Sequence, residues 1–143
     1  MIKLLVSFGG EVSATSTNGV SCFHLACVSG NLEVVKYLIQ KHHVDFHIKS
    51  TASGSEPIHV AANAGHKNIV EFLFFDCGVD IKTEDKNGEN SLSLAIKNRK
   101  TELAIWLVKT DLFKLNEIIK RSGFNYFAYA LIKGQKNVAL EIL

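Results

Sequence analysis

Several things are scarce in this 143-residue chain, and each scarcity removes a class of protein. Cysteine occurs three times, an odd count with no CxxC spacing. Neither a disulfide framework nor a Cys-rich zinc site is available, and thiols in a reducing compartment are the simple account. Proline occurs once, at Pro57, so no Pro-rich linker divides the chain. No apolar run approaches the roughly 18 residues that a membrane-spanning helix needs. The opening Met1-Ile2-Lys3-Leu4-Leu5-Val6 is also too short for a secretory signal peptide. Charge of one sign is missing too: 16 basic and 14 acidic residues give a net charge of +2. The basic residues are scattered, and only Arg99 and Arg121 are arginines, the type best suited to reading phosphates and bases. Nucleic acid is therefore not the expected partner. Glycine-rich phosphate loops after a strand and nucleophile elbows are absent as well, and no paired carboxylates have a plausible cleft, which removes the common routes to catalysis.

What the chain does contain is a phrase that recurs. Ser21-Cys22-Phe23-His24-Leu25-Ala26 leads to Gly30-Asn31-Leu32-Glu33-Val34-Val35, and Glu56-Pro57-Ile58-His59-Val60-Ala61 leads to Gly65-His66-Lys67-Asn68-Ile69-Val70. His24 and His59 stand 35 residues apart, as do Gly30 and Gly65. The frame continues in weaker form, with Ser93 and Ala128 at the histidine position and Arg99 and Gly134 at the glycine position. Upstream, Ile2-Lys3-Leu4-Leu5-Val6 matches Val35-Lys36-Tyr37-Leu38-Ile39. A fixed period of this size indicates stacked units that cannot bury their apolar faces alone.

Local patterns give each unit its form. Leu32, Val35, Leu38 and Ile39, like Ile69, Phe72 and Leu73, recur at three and four, the signature of a half-buried helix. Gly30, Gly65 and Gly134 separate two apolar runs, where a helix end favours positive φ. Asn18-Gly19, Ser53-Gly54, Asn87-Gly88 and Ser122-Gly123 are turn signals in a common register. Pro57 falls at a first-turn position, where its missing N–H costs nothing. Each unit therefore reads turn, helix, tight turn, helix.

At these residues the chain resembles the ankyrin repeat family, whose pattern is a turn, Thr-Pro-Leu-His-x-Ala, a short helix, a Gly-His turn, a second helix and a Gly-Ala-Asp loop. Gly78-Val79-Asp80-Ile81 and His43-Val44-Asp45-Phe46 are forms of that loop. The resemblance implies an all-α solenoid, one domain over 1–143. Its units run approximately 1–15 (partial), 16–50, 51–85, 86–120 and 121–143 (partial), as an excerpt of a longer chain. It also implies that His24 and His59 tie segments together by hydrogen bonding, rather than acting as bases beside Cys22 or Cys27.

Departures from the pattern carry expectations of their own. The stretch from Lys109 to Asn116 lacks a Gly-x-Asp loop, and Leu112, Leu115, Ile118 and Ile119 have helical spacing. An extra short helical turn is expected there in place of a projecting hairpin, with the fourth and fifth units the less regular part of the array. His42, His43, Asp45 and His47 are competent metal ligands. Their loop frame and spacing nevertheless favour solvated side chains over a metal site, so no metal or other cofactor is expected. Trp106 shares the frame of Tyr37 and Phe72 and is expected to pack.

The resemblance also locates a binding face, on the first helices and projecting loops. Its free positions are Thr17, Val20, Val28 and Ser29; Lys49, Ala52, Ser55, Asn63 and Ala64; Lys86, Glu89, Lys97 and Asn98; and Arg121, Phe124, Ile132 and Lys133. The loop tips 47–49 and 82–84 belong with them. Early units offer small, weakly apolar groups, and later ones offer charge with Phe124 and Ile132. That suits a protein segment with an uncharged end and a mixed acidic–apolar end. The expected function is a protein-interaction scaffold or adaptor, neither an enzyme nor a binder of small molecules, in the cytoplasm ahead of the nucleus. The alternative is a targeting segment of a larger enzyme or channel.

Overall fold

A computed structural model describes residues 15–143, so the partial first unit expected over 1–15 lies outside the described residues apart from Thr15. Eight helices follow as four antiparallel pairs: α1 (Cys22–Ser29) with α2 (Leu32–His42), α3 (Pro57–Ala64) with α4 (Lys67–Phe75), α5 (Ser91–Lys97) with α6 (Thr101–Lys109), and α7 (Tyr126–Ile132) with α8 (Lys136–Ile142). The first helices form one layer, α3 on α1, α5 on α3 and α7 on α5; α4 on α2 and α8 on α6 form a second. Helices this short are marginal alone in water, so the seam between neighbouring pairs supplies their stability. Phe23, Leu38, Ile58, Leu73, Leu92 and Leu107 lie in that continuous core.

Capping explains where the helices start. Ser21, Asn90 and Asn125 each accept from the backbone N–H three residues on, occupying one otherwise unpaired donor. Pro57 stands at the start of α3 and Asn31 caps α2. Inside each pair the chain reverses through a left-handed residue, at Gly30 (φ 79°), Gly65 (φ 80°), Arg99 (φ 60°) and Gly134 (φ 72°). Arg99 thus keeps the conformation of the glycine it replaces, at a steric cost glycine would not carry.

Ahead of the four pairs, four loops close by equivalent main-chain bonds: Ser16 N–H to Val20, Ser50 to Ser55, Asp85 to Glu89 and Ile119 to Phe124, at 2.8–2.9 Å. The last of these corrects the expected helical turn. Residues 110–125 form turns, with an isolated bridge between Ile118 and Asn125 and no helix. The apolar spacing misled because Asp111, at φ 58°, breaks the helix. Phe113 and Ile119 then turn into the core, while Leu112 and Ile118 remain exposed. Phe113 occupies the frame of buried Val79, and Lys114 takes the place of Asp80, whose carboxylate accepts from Lys82 N–H at 2.9 Å.

Adjacent loops are also tied to one another. Thr51 N–H donates to Asn18 C=O and Lys86 N–H to Ser53 C=O, each at 2.9 Å. A Cβ on Gly19 would meet Thr51 N at 2.6 Å, so this glycine is needed for close approach as well as for its φ of 75°. No main-chain bond among the described residues joins the 85–89 loop to the 119–124 loop; Lys120 instead reaches Glu84 at 3.1 Å.

Candidate interaction face

The repeated histidines fix the geometry of the face. Ser21 N–H donates to His24 Nδ1 at 3.1 Å, so Nε2 carries the proton and donates to Ser55 C=O at 2.9 Å. His59 repeats this, accepting from Glu56 N–H at 2.9 Å and donating to Thr83 C=O at 2.7 Å. Both rings are buried, and each joins one unit to the loop of the next. Ser93 makes only local bonds in the same frame, and the cross-unit link passes to Asn90 Nδ2, which donates to Tyr126 Oη at 2.6 Å.

These ties hold two rows of side chains in register. One row follows the loops through Thr17, Ala52, Lys86 and Arg121, all exposed, beside half-buried Val20 and Ser55 and exposed Phe124. The other follows the ends of the first helices through Val28, Asn63, Lys97 and Ile132, all exposed, beside exposed Ser29 and half-buried Ala64, Asn98 and Lys133. Cross-unit bonds keep the second row aligned: His66 Nε2 lies 2.7 Å from Val28 C=O, and Asn98 Nδ2 donates to Asn63 Oδ1 at 2.5 Å. Exposed Lys49 lies 3.9 Å from Glu56 and, with Thr51, Gly54, Glu84 and Lys86, lines a cleft between two loops.

Glu89 departs from the expectation. It is 2% exposed, so its carboxylate is turned inward. Its charge is close enough to the Tyr126 and Tyr129 phenols of α7 to act on both. Burial, and after it the nearby Glu89 charge, push Tyr129 up to about 12; burial likewise raises Tyr126. Glu89 Oε2 has no hydrogen-bond partner among the described residues.

Electrostatically the face is uneven. Among the described residues Lys97, Arg121 and Lys133 have no carboxylate within ion-pair distance, whereas Lys109, Lys114 and Lys120 do. Lys133 Nζ sits 5.5 Å from the Tyr129 ring centre. Phe124 (45% exposed) and Ile132 lie in the same two units, so apolar and unpaired cationic groups share that end.

The other tempting constellations disperse. His42 packs edge-on to Tyr37 at 5.5 Å, His43 caps α2 at φ 49°, and His47 Nδ1 approaches Glu56 at 3.5 Å. Among the described residues no group of three or more His, Cys, Asp or Glu could hold a metal ion. Trp106 lies on the second-helix side, partly buried, 6.3 Å from Phe75 and 5.9 Å from Lys67 Nζ. No helix among the described residues is long and apolar enough to cross a membrane.

Comparison with known proteins agrees with this architecture. A family model described as ankyrin repeats (3 copies) matches residues 1–85 and 58–143. The chain is 35% identical over 89 residues, 62% of its length, to the palmitoyltransferase AKR1 of Lachancea kluyveri. It is 24% identical over 143 residues, 78% of its length, to an L-asparaginase of Dirofilaria immitis. To the NF-kappa-B inhibitor cactus of Drosophila melanogaster it is 26% identical over 165 residues, covering 94% of the chain. It spans 12%, 24% and 33% of the lengths of these relatives, respectively.

Proposed function

The chain belongs to the ankyrin repeat family, and from that premise we propose that it is a scaffold or adaptor gripping a partner protein along the loop and first-helix rows, with no catalysis of its own. The observation that carries this reading is the pair of aligned rows, exposed along most of their length and held at fixed spacing by the histidine, asparagine and loop bonds. A surface already rigid loses little freedom on binding, which favours recognition. Glu89 is left out of the contact set.

The partner segment we propose is uncharged where it meets Val28, Ala52 and Ala64. It is acidic and apolar where it meets Lys97, Arg121, Lys133, Phe124 and Ile132. Aromatic anchors in desolvated positions dominate interface energy, and charged rims set the rate of encounter. The test compares affinity capture by the native chain and by a Val28→Asp/Phe124→Asp variant, with circular dichroism on both. Loss of capture with an unchanged melting curve supports the face; capture that survives the double change removes it. An intracellular site, cytoplasmic ahead of nuclear, belongs to the same proposal and accords with the absence of any disulfide among the three cysteines.

A second reading has specific support. Two of the relatives are named as a palmitoyltransferase and an L-asparaginase, and the chain matches only part of each. On that reading the array is the targeting segment of a larger enzyme or channel. The flanking sequence of the transcript distinguishes the two.

A further inference from the structure

The turn between α5 and α6 departs from the three others. Arg99 holds φ 60° where Gly30, Gly65 and Gly134 stand, a conformation that disfavours a side chain. Residues held in such sparsely populated backbone regions cluster at binding sites. The Arg99 guanidinium lies across the next turn, both terminal nitrogens 3.8 Å from where a Cβ on Gly134 would stand. Arg99, Gly134, Thr101, Gln135, Lys136 and Asn137 line a cavity of about 250 Å³ between the α5–α6 and α7–α8 turns.

That lining carries two cations and no carboxylate. Neither Arg99 nor Lys136 has an acid within ion-pair distance among the described residues. Glu102, next to Thr101 in the chain, lines a neighbouring cleft with Lys67 and Trp106 instead. Gln135 adds a neutral donor. It is 4% exposed, its Oε1 accepts from Thr101 Oγ1 at 2.7 Å, and its Nε2 has no partner among the described residues. Donors on buried side chains normally find one. His66, in the frame of Gln135 two units earlier, does so, with Nε2 2.7 Å from Val28 C=O.

We infer that this cavity binds a phosphoryl group, as free phosphate or on a phosphorylated side chain. The planar guanidinium of Arg99 offers a forked pair of N–H donors to two phosphoryl oxygens. Lys136 supplies a second positive charge, and Gln135 Nε2 a donor fixed by its bond to Thr101. A phosphomonoester carries about −1.5 to −2 at pH 7, which two unpaired cations match; a carboxylate would leave one of them unmatched. At about 250 Å³ the cavity falls below the about 300–1,000 Å³ of a typical small-molecule pocket, so it takes only the phosphoryl end of anything larger. Binding here does not depend on which rows hold a partner protein.

The experiment titrates the 143-residue chain with inorganic phosphate and, separately, with N-acetyl-phosphoserine amide at constant ionic strength. NMR follows the side-chain N–H signals of Arg99 and Gln135. Saturable shifts of both are expected, with none from N-acetylserine amide. Arg99→Gly should weaken binding, read at Gln135, by at least about tenfold, the effect of losing hydrogen bonds to a charged group. It should do so without lowering the melting temperature, which separates lost binding from lost fold. Gln135→Glu keeps the acceptor that Thr101 uses but sets a negative charge against the anion, and should abolish the shift at Arg99. Tighter binding of the phosphoserine probe than of phosphate assigns the site to a phosphorylated side chain; phosphate binding at least as tightly assigns it to the free ion. Shifts that fail to saturate with either probe overturn the inference. So does an affinity that Arg99→Gly and Gln135→Glu leave unchanged, since the anion would then be meeting surface charge in general.

Discussion

Asn90 Nδ2 and Tyr126 Oη, 2.6 Å apart and buried, replace in side-chain form the link that His24 and His59 make to backbone carbonyls. The register between units is thus kept by different chemistry in the later part of the stack. An imidazole with both nitrogens bonded to main chain is fixed at either end. The Asn90–Tyr126 link depends on two side chains, and neither can be replaced alone without leaving the other unpaired.

Tyr126→Phe should therefore cost about 1–3 kcal/mol, the penalty for leaving a buried amide donor unsatisfied. His59→Ala should cost more, about 2–5 kcal/mol, because it opens a cavity and orphans both Glu56 N–H and Thr83 C=O. Urea unfolding of the two variants measures this. Equal, near-zero losses would mean that the links do not hold the register.

Two substitutions at equivalent turn positions should act in opposite directions. Arg99→Gly relieves a left-handed arginine at φ 60°, a gain of about 1–2 kcal/mol offset by about 0.5–1 kcal/mol of glycine entropy. Gly30→Ala places a side chain at φ 79°, with its Cβ 2.6 Å from the His66 ring, and should cost more than the about 1–2 kcal/mol of backbone strain. Thermal midpoints of both variants, measured side by side, check the sign of each.

Alkaline pH should destabilise the fold. Burial raises the thiols of Cys22, Cys27 and Cys77 above 9.0 and the phenols of Tyr126 and Tyr129 above 10.0. On raising the pH, the unfolded chain releases these protons first and the native chain retains them, so stability falls. It is fully present below about pH 9 and declines progressively towards about pH 12, where Tyr129 also titrates. Urea midpoints at pH 8 and pH 10.5 should show the drop, and Cys27→Ala should reduce it. A flat profile would show that these groups are not buried in solution.

Capture of the partner should weaken as salt rises. Lys97, Arg121 and Lys133 are not neutralised by neighbouring carboxylates among the described residues, and exposed charges act over a distance that salt shortens. Raising ionic strength from about 0.05 to 0.5 M should slow association more than it speeds dissociation, as followed by surface plasmon resonance. Lys97→Ala/Lys133→Ala should flatten that dependence.

Much of this was legible in the sequence because the repeat makes each unit a control for the others. The roles of His24 and His59, the left-handed turn glycines and the buried helix faces follow from recurrence at fixed spacing. Residues that interact through a non-repeating pair did not follow. Tyr126 showed no sign of taking over from the histidine, since its partner Asn90 lies 36 residues away and bonds only once α5 and α7 pack. Glu89 occupies a frame that is half-buried at Ser55 and exposed at Phe124, so recurrence gave no sign that this carboxylate would be buried. Between Leu112 and Ile119 the apolar spacing fitted a helix, but periodicity does not register a left-handed Asp111 that stops one.

The loop ties have a mechanical consequence. Main-chain bonds from Thr51 to Asn18 and from Lys86 to Ser53 cannot lengthen without breaking, so the first three loops move as one stiff comb. The fourth is held at its tip by Lys120 and Glu84, two long exposed side chains whose pairing yields to small forces. Among the described residues the weakest loop-to-loop tie therefore lies at this joint, and the last pair depends on its helix packing and on the Asn90–Tyr126 bond to hold its place.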